Sequence, residues 1–99
     1  MLELQDISED RFPFTEEWIS GNISIRTFDV SVAQTELVWH KDHEKREVDV
    51  ISGENWKLQL EDSVPMELNV GDKIFIEKMK WHRVIKGTTS LVVKITKFI

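Results

Sequence analysis

The 99 residues, 40% hydrophobic and 31% charged, suit a single domain with one core and are too few for two. The absence of cysteine excludes disulfides, thiolate metal sites and cysteine nucleophiles, so any metal must be held by imidazole and carboxylate. A net charge of −5 argues against nucleic-acid partners, which require surplus Lys and Arg, and no apolar run reaches the ~20 residues of a membrane span. The acidic start, MLELQDISED, does not resemble a secretory leader, so a cytoplasmic location away from membranes is expected.

In chain order, residues 1–21 have a different texture from the rest and are expected to form an extension packed on the main domain, residues 22–99. Phe12, Pro13 and Phe14 interrupt any helix, and Thr15 reads as the N-cap of a short helical turn through Glu16, Glu17 and Trp18. Trp18 is expected to cover one end of the domain. Residues 22–32 (NISIRTFDVSV) alternate as a strand, but the parity slips between Ile25 and Phe28, which predicts a bulge near Arg26 and Thr27. Further strands are predicted at 36–42, 47–52, 56–61, 65–70, 73–78, 81–86 and 90–98. The breaks between them carry turn chemistry, as in Ser52-Gly53-Glu54-Asn55 and Gly87-Thr88-Thr89.

About eight short strands at roughly ten-residue spacing predict an all-β sandwich or barrel, with no room for a long helix after residue 20. The last strand ends in the apolar Phe98 and Ile99. Read as a free edge to be covered, it predicts a homodimer.

Alternation along strands places His40 and Asp42 on one side and Trp39 and Lys41 on the other; likewise His82 faces opposite to Trp81 and Arg83. Two Trp-His dipeptides on separate strands thus predict imidazoles inside a barrel and indoles behind its wall.

From His40 to Gly53 the chain reads H-x-D-x4-E-x5-G, and from Gly71 to His82 it reads G-x10-H. This resembles the two motifs of the cupin superfamily, H-x-H-x3-4-E-x6-G and G-x5-P-x-G-x2-H. The resemblance implies a small cupin-type β-barrel, or jelly roll. It departs from the family pattern at Asp42, which replaces the second histidine, and at Gln34, which stands where a leading glycine would be. Gly53 comes one residue early, and Glu77 and Met79 replace the proline and glycine of the second motif. Carried over residue by residue, the resemblance implies a metal set of His40, Asp42, Glu47 and His82. His43 is a rival ligand, able to join only if the chain turns there.

Such a set of imidazoles and carboxylates suits Fe, Mn, Ni or Zn and leaves positions open for a ligand. Glu36, Asp49 or Gln59 are candidate acceptors for the second N–H of a ligating imidazole. Arg46 and Arg83 are placed at the rim, able to clamp an anion or, alternatively, to pair with Glu44, Glu47 or Glu77. The expected function is binding of a small polar or anionic molecule beside a divalent metal. The same site could instead serve an oxygenase or isomerase, or the barrel could be a metal-free interaction domain plugged by Phe75, Val84 and Ile85.

Overall fold

The structure is a computed structural model that describes residues 12–99. The first half of the expected N-terminal extension, with its acidic start, lies outside the described residues. Among the described residues eight strands follow one another: β1 (Thr15–Trp18), β2 (Ile23–Phe28), β3 (Lys45–Ser52), β4 (Lys57–Leu60), β5 (Met66–Glu67), β6 (Lys73–Ile76), β7 (His82–Ile85) and β8 (Leu91–Phe98). They form a five-stranded sheet, β1-β2-β8-β3-β6, and a three-stranded sheet, β5-β4-β7, with every pairing antiparallel. The fold is therefore an all-β barrel of two sheets. The described helical structure is a single 3-10 turn at Gln34–Glu36.

The core lies between the sheets, filled by one face of each strand. In β8, Leu91, Val93 and Ile95 are buried, while Val92 and Lys94 face the other way; in β3, Val48 and Val50 are buried between the polar Glu47 and Asp49. Trp56, just before β4, is fully buried and its indole N–H donates to the Thr89 carbonyl at 2.6 Å, which ties the approach to β4 to the approach to β8.

The structure corrects several expectations. Thr15–Trp18 is a strand rather than a helical turn, because Glu16 accepts hydrogen bonds from the Ser24 hydroxyl at 2.7 Å and Arg26 Nε at 2.8 Å across the β1–β2 pair. Trp18 covers no barrel end; it is exposed, with the Lys97 ammonium 4.8 Å from its ring centre. No bulge interrupts β2, whose register with β8 runs unbroken from Ile23 to Phe28. The parity slip arises because the inner face reads Ser24, Arg26, Phe28, two polar residues before an aromatic one. The register shift lies instead in β3, between Val50 and Ser52. Nor is the last strand a free edge. β8 is the middle strand of the large sheet, and the edges are β1 and β6, so the homodimer expected from a free last strand finds no such edge in β8.

Residues 36–42, expected as a strand, form no ladder. Between β2 and β3 of the large sheet they cross over to the edge of the small sheet after the 3-10 turn, touching it through one bridge, His40 to His82. This crossing builds the candidate site.

Candidate functional site

His82 opens β7, where it pairs with Leu60 of β4 on one side and with His40 on the other. The His40 amide donates to the His82 carbonyl at 3.0 Å, and the His82 amide to the His40 carbonyl at 2.8 Å. That reciprocal bridge sets the two imidazoles side by side, ring centres 4.2 Å apart. Two residues on, Asp42 keeps the same side as the chain heads for β3. Its carbonyl accepts from the Met79 amide at 2.6 Å, which pins the crossing to the turn before β7. Arg46, near the start of β3, points to the same interior.

Both imidazoles are held in one manner. Nδ1 of His40 lies 3.0 Å from the Val38 carbonyl, and Nδ1 of His82 lies 2.8 Å from the Lys80 carbonyl. A carbonyl only accepts, so Nδ1 carries the proton in each ring and Nε2 of a neutral ring keeps its lone pair. These anchors replace the expected Glu36, Asp49 and Gln59. Their signal is local, since each acceptor is the backbone oxygen two residues before its histidine, in Val38-Trp39-His40 and Lys80-Trp81-His82.

His82 is buried, and its Nε2 lies 3.3 Å from Asp42 Oδ2 without the alignment of a hydrogen bond, leaving that oxygen buried and unpartnered. The other oxygen, Oδ1, is 3.3 Å from Arg46 Nη2, which also meets Glu44 Oε2 at 3.1 Å. Arg46 Nε is buried without a partner as well. Burial alone would raise the Asp42 pKa, but the contact with His82 and the Arg46 charge hold it below the usual carboxylate value. Burial lowers the His40 pKa, opposed by the Val38 carbonyl and reinforced by neighbouring His82, and so favours the neutral imidazole. Donor atoms of His40, Asp42 and His82 all lie within 4.8 Å of one another.

The other expected residues lie elsewhere. Glu47 is on the outer face of β3, 3.1 Å from Lys73 Nζ, and does not join the cluster. Strand parity accounts for this. With Val48 and Val50 buried, Glu47 must face out and Arg46 in, so an arginine takes the interior place beside Asp42. The alternation in Arg-Glu-Val-Asp-Val carried that signal. His43 is exposed and outside the cluster. Arg83 faces away from the cavity, with Nε donating to Gln59 Oε1 at 3.0 Å and its guanidinium 5.0 Å from the Trp39 ring centre. Trp39 and Trp81 are exposed behind the histidines.

The cluster forms one wall of a cavity of about 390 Å³ between the sheets. Its other walls are apolar, with Phe28, Val48, Val93 and Ile95 from the large sheet and Leu58 and Val84 from the small one. Of the three residues expected to plug the barrel, Phe75 is exposed on the outside, Val84 lines the cavity and Ile85 does not reach it.

No family model matches the chain, and no curated protein matches it by sequence. Solved structures do. A cupin superfamily protein from Desulfitobacterium hafniense aligns over 87% of this chain and 76% of its own, at 18% identity and a TM-score of 0.64. An RmlC-like cupin from Methanocaldococcus jannaschii, described as a double-stranded β-helix, aligns over 93% and 85%, at 17% identity and a TM-score of 0.63. Hydroxypropylphosphonic acid epoxidase from S. wedmorenis aligns at 20% identity and a TM-score of 0.61, and a structure of Fe(II) HppE also matches. The alignment covers 77% of this chain and 42% of the epoxidase, so the chain spans less than half of that enzyme. The chain has the cupin fold.

Proposed function

We propose that this cupin-fold protein binds a small molecule in its barrel, beside a divalent metal held by His40, Asp42 and His82. The observation that carries the reading is the convergence of three acceptors. Both Nδ1 atoms lie against backbone carbonyls, Asp42 Oδ2 is unpartnered, and the three residues bring ligand atoms within 4.8 Å of one another. Like partial charges gathered in a half-buried place call for a cation among them.

Two imidazoles and one carboxylate match the donor preferences of Fe(II), Mn(II), Ni(II) and Zn(II) and leave coordination positions for a ligand. When bound, the ion supplies a Lewis acid that draws a polar ligand group to this wall. The backbone anchors on Nδ1 fix ring orientation and tautomer, and Arg46 holds Asp42 by Oδ1 so that Oδ2 stays turned inward. The Fe(II) of HppE belongs to that neighbour; it is the reason to include iron among the ions tested.

A second reading is favoured by Arg46. Its guanidinium already supplies a cation to Asp42, which would let the pocket bind its ligand by hydrogen bonds without metal. Metal analysis by plasma mass spectrometry separates the two. Near-stoichiometric metal that is lost in a His40→Ala, His82→Ala double variant is the expected result. A protein that takes up none of the four ions when each is added would leave the metal-free reading.

A further inference from the structure

We infer that the ligand is a compact apolar carboxylic acid, one carboxylate on a hydrocarbon or aryl body. The inference rests on the barrel being a ligand pocket with metal on the His40–Asp42–His82 wall, and it narrows the polar or anionic ligand expected from the sequence to an anion on an apolar body. Among the described residues, no serine, threonine, asparagine, glutamine or tyrosine lines the cavity. Its polar side chains are the site cluster with Arg46, the exposed Glu36, and Arg26, whose Nε is already paired with Glu16. A polyhydroxylated or peptide-like ligand would press several donors and acceptors against Phe28, Leu58 and Val93 with nothing to receive them. A hydrocarbon body meets no such penalty there, and about 390 Å³ lies toward the small end of ligand sites.

The charges at the polar wall select the head group. Glu44 is shared by Arg46 at 3.1 Å and Lys97 at 3.6 Å, so a divalent ion beside Asp42 leaves the wall with surplus positive charge. Arg46 itself, nine-tenths buried with Nε unpartnered, adds a donor at the same wall. Both features suit a single carboxylate.

The test is calorimetric titration of the zinc-loaded protein with straight-chain monocarboxylates from acetate to decanoate, their matching primary alcohols, and gluconate. Affinity is expected to rise about fourfold per added methylene, the change given by ~0.8 kcal/mol per buried CH₂, until the cavity is filled. The alcohols should bind at least about tenfold more weakly, a ratio worth ~1.4 kcal/mol. A flat series, alcohols equal to acids, or gluconate binding more tightly than hexanoate would overturn the inference. Val93→Phe, which fills the cavity, should shorten the longest acid accepted while leaving zinc uptake unchanged. Should that variant not fold, the series on the unaltered protein decides alone. Repeating it without metal separates the two claims. A chain-length gradient in a protein that takes up no metal removes the metal reading and keeps the apolar acid; metal uptake with a flat series does the reverse.

Discussion

Arg46 and Asp42 stand 3.3 Å apart, with side chains 11% and 14% exposed, and neither charge is well placed without the other. Arg46→Met should therefore destabilise the metal-free protein by about 3 kcal/mol, read from urea unfolding, since it strands a buried carboxylate. The same change releases Asp42 from the hold on its Oδ1, so zinc affinity should fall on the order of tenfold in competition with a chromophoric chelator. Unchanged zinc affinity would mean that Asp42 does not face the ion. Three members of the cluster were legible in the sequence as neighbours, because alternation puts His40 and Asp42 on one side and turns His82 away from Trp81. Glu47 misled because the family spacing admits positions 46 and 47 alike. Only the burial of Val48 and Val50 chooses between them, and it chooses an arginine.

Local elements record where short-range pattern gave way to pairing. Thr15 through Trp18 looks like a capped turn, yet Glu16 is drawn into strand pairing by Ser24 and Arg26, partners supplied by the next strand. Burial raises the Glu16 pKa, but those two partners outweigh it and hold the carboxyl below its ordinary 4.5. Its contribution is present in full above 4.5 and is lost as pH falls through the lower folded value. Acid should thus loosen the β1–β2 pair, and Glu16→Gln should flatten that part of the pH profile of stability. Met79 presents a different case. It stands where the cupin motif has glycine, and it keeps the left-handed conformation glycine favours, with φ of 61°. Met79→Gly should stabilise the protein by up to about 1 kcal/mol in thermal unfolding. Destabilisation would show that the side chain, 43% exposed, packs usefully after all. The motif departure there changes the residue and leaves the turn intact.

At the scale of the whole molecule, eight strands at regular spacing were enough to indicate a two-layer β fold, and the seam between the layers was not. Periodicity reports which face of a strand is apolar. It cannot report that residues 36–42 leave the large sheet to touch the edge of the small one and return, because a segment with a single bridge has the same alternation as a ladder. The cavity was hidden for a related reason: apolar walls and an apolar plug read alike in sequence. The reciprocal amide bonds between His40 and His82 make that seam observable one proton at a time. Each amide is protected by the other histidine's carbonyl, so parting of the two segments releases both hydrogens to solvent together. In deuterated buffer the two signals should decay at matched protection, and zinc held by both side chains should slow them in parallel by the factor 1 + [Zn]/Kd. The same pair of backbone signals would then serve as an internal titration of the site.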